Sequence, residues 1–283
     1  MSIFDKFNRK KEAARQLQSV AKPMIAPAPN TSITIFFDRT GIEIEEIGTT
    51  ISEKFGAQSV CSIDSSSPSV TNFMLHIDGM DVICSYLPFP LPREEGDILA
   101  LFSMNHYISE DEQKALAEHK SFCLLTEIGG GKTLEGKRSV CLMLTKLCGC
   151  LLHMESAAGA YYHAANLLLG KTMYLKYASI SEREEKDPAY FPAMLWILVY
   201  QTRADDGAPV IETCGLEQFG FLELQFYKPA EEWAHSFEKL YIMSIFQITG
   251  KEVYKNMDTI SFSQDTFSIF KQNGTKLTVI GGI

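Results

Sequence analysis

Residues 73–86, FMLHIDGMDVICSY, decide the fold class of this chain. Apolar residues occur at every second position over 73–77 and again over 82–86, as on strands that bury one face. Asp78-Gly79 separates the two runs and is a typical two-residue hairpin turn, because such a turn needs positive φ at both positions. The stretch therefore predicts two strands that pair antiparallel.

The same turn signal occurs twice more along the chain. Asp206-Gly207 and Asn273-Gly274 each separate two apolar runs in the C-terminal half. Hairpins in both halves, with helical patterns between them, do not fit a doubly wound parallel sheet. The sequence therefore predicts an α+β fold. We expect two helix-on-sheet units of ferredoxin-like character, with mainly antiparallel or mixed sheets.

Apolar periodicity and capping signals predict the remaining elements. Ser109 and Glu112 have the spacing of a capping box, which starts a helix. The predicted helices cover residues 42–55, 97–104, 109–119, 137–147, 157–169 and 229–249. The predicted strands outside the hairpins cover residues 32–37, 120–128, 151–154, 173–178 and 220–226.

Composition divides the chain into a tail and two units. Residues 1–30 hold a short amphipathic pattern and the proline-rich run 22–29, which is typical of a basic tail with an extended linker. The charged run 181–188 is the best internal boundary. We therefore expect an N-terminal unit at 31–180 and a C-terminal unit at 189–283.

The charge of the chain argues against nucleic acid as a partner. The 283 residues have a formal net charge of -9, with a pI near 5.2, whereas phosphate binding needs a basic face. Residues 1–22 hold six basic and two acidic side chains, a net +4, so the remainder is near -13. An acidic body favours a basic protein partner, which it attracts at long range.

Cysteine usage and hydropathy predict a cytoplasmic protein. The seven cysteines are odd in number and lie mostly in apolar runs, as reduced and buried thiols do. No apolar run has the length of a membrane span, and no apolar core follows the basic N-terminus as in a secretory signal. With 46% hydrophobic and 22% charged residues, the composition is that of an ordinary globular protein.

One loop resembles a phosphate-binding motif without completing it. Residues 129–133, GGGKT, follow a predicted strand. A phosphate loop needs its first glycine where this chain has Thr126, and Gly136 interrupts the helix that should follow. Two interpretations stay open. The loop either binds a nucleotide or small ligand through Lys132 and Thr133, or it is a flexible connection with a solvated lysine.

Two glutamates are further candidates for a ligand site. Glu127 and Glu155 end predicted neighbouring strands, so we expect their carboxylates to face one crevice. Cys148-Gly149-Cys150 is spaced too closely for a typical zinc site, and the six histidines are scattered. The sequence therefore predicts no metal site, no cofactor and no catalytic residues.

Residues 213–224, TCGLEQFGFLEL, carry a resemblance to a known family. They are similar to the motif Thr-x-Gly-Leu-x-x-hydrophobic-Gly-x-x-Glu-hydrophobic-Glu of the bacterial family catalogued as domain of unknown function 4261. The resemblance covers about residues 195–283, and Gln225 or Leu224 stands where the motif has its second glutamate. It implies kinship of fold and no particular activity.

Glu223 is the only acid in the apolar strand of this motif. Strand alternation places it on the face turned away from the helix that follows at Pro229. We therefore expect Glu223 to point toward solvent, the first unit or a cleft between the halves. Two interpretations stay open: Glu223 lines a cleft and takes part in ligand binding, which we favour, or it is a buried structural acid.

Taken together, these features favour a non-enzymatic binding or interaction protein of the bacterial cytoplasm, with an immunity or toxin-neutralising protein as one form. The alternative is an enzyme or sensor that binds a nucleotide or small ligand at Lys132 and Thr133, with Glu127 or Glu155 as acid or metal ligand. The sequence gives no prediction of oligomeric state.

Overall fold

The structure of the protein, a computed structural model, describes residues 31–67, 69–91, 108–129, 131–184, 187–229, 233–263 and 266–281. The predicted tail at 1–30 and the helix predicted at 97–104 lie outside these residues.

Thirteen strands and five helices are described. The strands are β1 (Ser32–Phe37), β2 (Val60–Ser67), β3 (Val70–Ile77), β4 (Met80–Leu87), β5 (Ser121–Ile128), β6 (Ala157–Tyr162), β7 (Leu167–Gly170), β8 (Leu198–Arg203), β9 (Pro209–Cys214), β10 (Glu223–Tyr227), β11 (Thr259–Ser263), β12 (Thr266–Asn273) and β13 (Lys276–Gly281). The helices are α1 (Ile44–Phe55), α2 (Glu110–Ala117), α3 (Leu134–Leu152), α4 (Lys171–Ala178) and α5 (Trp233–Ile248).

The strands form two sheets, which confirms the predicted α+β class. The first sheet has seven strands in the order β2-β3-β4-β5-β1-β6-β7, and its described pairs are all antiparallel. The second has six strands in the order β11-β12-β13-β10-β9-β8. It is mixed because β10 and β13 pair parallel, and α5, β11 and β12 form the long crossover that a parallel pair needs.

The predicted hairpins are confirmed. Asp78 and Gly79 have φ of 52° and 79° and join β3 to β4. Asn273 pairs with Lys276 across the tip of the β12–β13 hairpin. β8 and β9 pair antiparallel around the turn that contains Gly207.

Three predicted elements in one region are wrong. Residues 151–154 end α3 or follow it, residues 157–169 contain the hairpin β6–β7, and residues 173–178 belong to α4. The two strands of the hairpin lie close together, since a Cβ on Gly159 would be 2.3 Å from the carbonyl oxygen of Leu169. β6 also pairs with the edge of β1, and this pairing outweighs the helical preference of the local alanines.

One hydrophobic cluster runs through both sheets. It includes Ile47 and Ile51 of α1, Leu144 of α3, Ile211 of β9 and Met243 of α5, all fully buried or nearly so. A smaller cluster packs on the other face of the first sheet around Phe36, Leu116 and Leu168. The division of the chain into separate units at 31–180 and 189–283 stays a prediction.

A buried polar network links the two halves inside this core. Trp196, just before β8, donates its indole N–H to the hydroxyl of Thr145 in α3 at 2.9 Å. Tyr174 of α4 donates to the Thr145 carbonyl at 3.1 Å, and Tyr162 of β6 donates to Tyr174 at 2.7 Å. Each of these side chains is buried, and each polar atom finds a partner.

Among the helices that the structure describes, none combines the length and the apolar character needed to cross a membrane.

Candidate binding site on the C-terminal sheet

The glycine-rich loop forms the start of α3. Thr133 is the N-cap residue, and its hydroxyl accepts a hydrogen bond from the backbone N–H of Gly136 at 3.0 Å. Gly131 lies against that first turn, where an added Cβ would be 2.1 Å from the carbonyl carbon of Gly136. Lys132 is exposed. Thr133 and Gly131 therefore have structural roles that need no ligand.

The setting of this loop differs from that of known phosphate loops. β5, which precedes it, pairs antiparallel with β4 and with β1. Phosphate loops of the kind that the GGGKT sequence resembles follow a strand of a parallel βαβ unit. Nucleotide binding through Lys132 and Thr133 stays a prediction, without support from the strand arrangement.

The expectation that Glu127 and Glu155 share a crevice is wrong. Glu127 is 3% exposed and follows Thr126, which pairs with Ser32 at the start of β1. Glu155 is exposed and precedes β6 beside Phe37, at the other end of β1. Six strand residues separate the two ends by about 20 Å. The reason is that residues 151 and 152 end helix α3, so Glu155 lies before strand β6 and does not end a strand.

The expectation that Glu223 points into a cleft is also wrong. Glu223 is 8% exposed, and its carboxylate accepts hydrogen bonds from the hydroxyl of Thr213 at 2.6 Å and from the backbone N–H of Gly215 at 2.8 Å. It also accepts from the N–H of Glu217 at 3.2 Å. These donors start the 3₁₀ turn Leu216–Phe219, so Glu223 caps that turn.

The geometry around Gly215 explains why the motif at residues 213–224 has a glycine at this position. Gly215 has φ of 118°, and a Cβ there would lie 2.5 Å from the carbonyl oxygen of Trp196. A side chain at position 215 is therefore excluded both by the backbone conformation and by lack of space.

Burial raises the pKa of Glu223, and its hydrogen bonds oppose this shift.

Polar side chains collect on one face of the second sheet. Its other face is apolar and packs in the core with α5, through Ile211, Leu224, Leu277 and Val279. We call the polar side the open face, because most of its side chains are partly exposed. The open face is formed by Tyr200, Glu212, Cys214, Gln225, Lys276 and Thr278.

A buried carboxylate lies at the centre of the open face. Glu212 accepts hydrogen bonds from the hydroxyl of Tyr200 on β8 and from the ammonium of Lys276 on β13, which reaches it across β10. The Glu212 side chain is 7% exposed and that of Lys276 is 38% exposed. The carboxylate is thus satisfied within the sheet, and the lysine keeps donors toward solvent.

The other titratable groups of the open face are held protonated. Burial raises the pKa of Cys214 to about 12, and the carboxylates of Glu223, Glu212 and Glu217 add to this shift. Burial and the hydrogen bond to Glu212 raise the pKa of Tyr200. Near neutral pH the face therefore presents a neutral thiol and a neutral phenol, which are poor nucleophiles and bases.

The hairpin β6–β7 borders the open face at Cys214. The Cys214 Sγ lies 4.0 Å from the carbonyl oxygen of Ala164 in the hairpin turn. Exposed His163 in the same turn is 2.8 Å, Nε2 to Oγ1, from Thr34 of β1 and contacts the ring of Tyr161. The hairpin β6–β7 therefore adds an aromatic ring and an imidazole from the first sheet beside the open face.

The sequence did not identify Tyr200, Glu212 or Lys276. They lie on three strands and meet only because β10 brings β9 and β13 together. One available signal was Glu212 itself, since it is an acid within the otherwise apolar start of β9.

Cys148 and Cys150 of the sequence Cys148-Gly149-Cys150 lie in different surroundings. Cys148 is buried beside Tyr174, whereas Cys150 lines a groove of about 380 Å³ between α1, α3 and α4. Burial raises the pKa of Cys150 to about 11. Lys54 and His153 also line the groove, and Lys54 lies in the last turn of α1, where a positive charge is favourable. Across the described ranges, no three His, Cys, Asp or Glu side chains are placed to hold a metal ion.

Comparisons with protein-family models, with curated proteins and with solved structures give no match to this chain.

Proposed function

We propose that this chain is a non-enzymatic binding protein of the bacterial cytoplasm that uses the open face of its C-terminal sheet to hold a basic protein partner. The observation that carries this proposal is the charge around Cys214. Besides burial, three carboxylates, Glu223, Glu212 and Glu217, raise the pKa of that thiol, and Glu217 among them is exposed to solvent. This end of the face therefore favours a partner that presents lysine or arginine.

The state of the titratable groups favours binding over catalysis. A catalytic site usually shifts a pKa toward the working pH, whereas the pKa values of Tyr200 and Cys214 are shifted away from it. Gln225 donates a hydrogen bond to Thr278, and these two side chains and Lys276 are half-buried, with polar groups suited to further hydrogen bonds with a protein surface.

The net charge of the whole chain also favours a basic partner. With the basic tail set aside, the chain is near -13, so it attracts a basic partner before contact. Residues 195–283, which resemble the family of domain of unknown function 4261, contain the open face entirely. We propose membership of that family and an immunity-type role as parts of the same hypothesis.

Site-specific photo-crosslinking tests the proposal. A photoreactive amino acid replaces Thr278 on the open face, or the exposed Glu118 beyond α2 as a matched control, in the full chain. Crosslinking is carried out in bacterial lysate at low and at moderate salt. We expect adducts with a basic protein at Thr278 and none at Glu118. The adducts should weaken from low to moderate salt and when Glu217→Lys is added.

Three results would contradict the proposal. They are absence of a Thr278 adduct at either salt concentration, equal adducts at both positions, and adducts that Glu217→Lys leaves unchanged.

A further inference from the structure

Helix α1 covers the core face of the first sheet as far as β3. A Cβ on Gly48 would lie 3.8 Å from the ring of Phe73, which is fully buried. Ile63 of the edge strand β2 is directly opposite Phe73 and therefore lies on the same face of the sheet, yet it is 49% exposed. Among the described residues, no second helix therefore covers this face at β2.

The uncovered surface forms a groove beside α1. It has a volume of about 410 Å³ and is lined by Glu45, Gly48, Thr49, Ser52, Glu53, Val60 and Ile63. The α1 residues among them recur with the spacing of one side of a helix. Three of them, Gly48, Thr49 and Ser52, are small, which lets another helix approach α1 closely. A helix in the groove would complete the layer of helices on this sheet.

The rim of the groove is acidic. Glu45 and Glu53 lie in the first and last turns of α1, about 12 Å apart, and both are exposed. Neither forms a salt bridge with another described residue. Lys54, the basic residue of the last turn, lines the groove that contains Cys150 instead. An apolar floor with acids along one wall fits a helix that carries apolar and basic residues on one side.

The tail of the chain has a sequence of this kind. Phe7 is four positions after Ile3 and three after Phe4, so a helix would place these three residues on one side. Lys10 and Lys11 follow Phe7 on the same side, one turn later. Residues 1–22 carry a net charge of +4, opposite in sign to the groove.

The position of Thr31 brings the tail within reach of the groove. Thr31 accepts a hydrogen bond from the backbone N–H of Glu127 at 3.2 Å. From Glu127, residues opposite one another on successive strands lead across the sheet to β2 through Val82, Leu75 and Val60. Thr31 and Val60 are thus four strand spacings apart, about 19 Å. The proline-rich residues 22–30 span about 28 Å when extended, so they bridge this distance.

We propose that residues 3–11 of the tail dock as a helix in the groove between α1 and β2. The three apolar side chains of this segment cover Ile63. Lys10 and Lys11 lie near Glu53, because the linker joins the segment from the end of α1 that is nearer to Thr31. The tether keeps the segment at an effective concentration in the millimolar range, so weak contacts suffice. The groove belongs to the first sheet, and the proposal does not depend on the open face.

Zero-length crosslinking of the purified full chain tests the position of the tail. A water-soluble carbodiimide joins a lysine amine to a carboxylate that it touches. Monomers are then isolated and digested, and the joined peptides are identified by mass spectrometry. We expect Lys10 or Lys11 to be joined to Glu53 at least tenfold more often than to Glu110, an exposed acid of α2 that serves as the matched control. The Glu53 crosslinks should decline as salt is raised.

Variants of the tail separate apolar docking from charge attraction. Phe4→Ser/Phe7→Ser keeps every charge and removes the apolar contacts, so it should lower the Glu53 crosslinks at least tenfold. Phe4→Leu/Phe7→Leu is the matched control and should keep them. The serine variant should also shift the NMR signals of the backbone amides at 48–53 and 60–63 relative to wild type, and leave those of β8 to β10 in place.

Five results would overturn the proposal. Three are equal crosslinks to Glu53 and Glu110, Glu53 crosslinks that persist in the serine variant, and unchanged amide signals at 48–53. Crosslinks to Glu53 found only in dimers would assign the groove to the tail of a second copy. Crosslinks to Glu217 in place of Glu53 would put the tail on the open face.

Discussion

The hydroxyl of Thr213 donates a hydrogen bond to the carboxylate of Glu223 at 2.6 Å and accepts one from the backbone N–H of Leu224 at 2.8 Å. One side chain thus ties the end of β9 to the start of β10 and holds the carboxylate that caps the turn between them. The acid of the family-like motif is therefore a structural element of the fold in this chain.

Replacement of that acid should lower stability. Glu223→Gln keeps one acceptor oxygen but turns the other position into a donor, which conflicts either with the Thr213 hydroxyl or with the N–H groups of Gly215 and Glu217. We expect a loss of about 1–3 kcal/mol in the free energy of unfolding, measured by urea denaturation. Glu217→Gln is the matched control, because that side chain is exposed, and should change stability by less than about 0.5 kcal/mol. Equal effects of the two variants would contradict the capping role.

The cost of Glu223→Gln should depend on pH. The pKa of Glu223 is raised in the folded protein, so the folded state binds its proton more tightly than the unfolded state. The contribution of Glu223 to stability is then fully present below the unfolded pKa and declines as pH rises through the folded pKa. We expect the stability difference between wild type and Glu223→Gln to be larger at pH 4 than at pH 7. Urea denaturation at both pH values measures it, and a difference that grows with pH would show that the pKa is lowered instead.

The hydrogen bond between Trp196 and Thr145 should couple the two halves energetically. Thr145→Val removes the hydroxyl at nearly constant volume and leaves the buried indole N–H without its acceptor, at a cost of about 1–3 kcal/mol. In a Trp196→Phe background the same change should cost about 1 kcal/mol less, because the donor is already gone. A double-mutant cycle by chemical denaturation measures this coupling. Additive effects would show that the bond contributes nothing to stability.

The glycine-rich loop should behave as a helix start. Thr133→Ala should lower the free energy of unfolding by about 1 kcal/mol, and Thr133→Ser, which keeps the capping hydroxyl, should restore most of it. Thermal melting with ATP or GTP and magnesium should stay unchanged, for wild type and for Lys132→Ala alike. A ligand at a hundred times its Kd would add about 2.7 kcal/mol, so a rise that Lys132→Ala abolishes would establish nucleotide binding.

Local signals in the sequence determined the class of the fold. The turns at Asp78-Gly79, Asp206-Gly207 and Asn273-Gly274 specify antiparallel pairs, because the glycine of each adopts positive φ without a tertiary contact. Only Asp78-Gly79 has positive φ at both positions. The capping box of Ser109 and Glu112 was predictable for the same reason, and it is confirmed.

Tertiary structure alone decided the region from 151 to 178 and the candidate site. Residues 157–169 have a helical preference of a fraction of a kcal/mol per residue, which the pairing of β6 with β1 outweighs. Glu127 and Glu155 were thereby placed at opposite ends of β1. Tyr200, Glu212 and Lys276 are brought together by strand order, because β10 lies between β9 and β13, and no spacing along the chain encodes that neighbourhood.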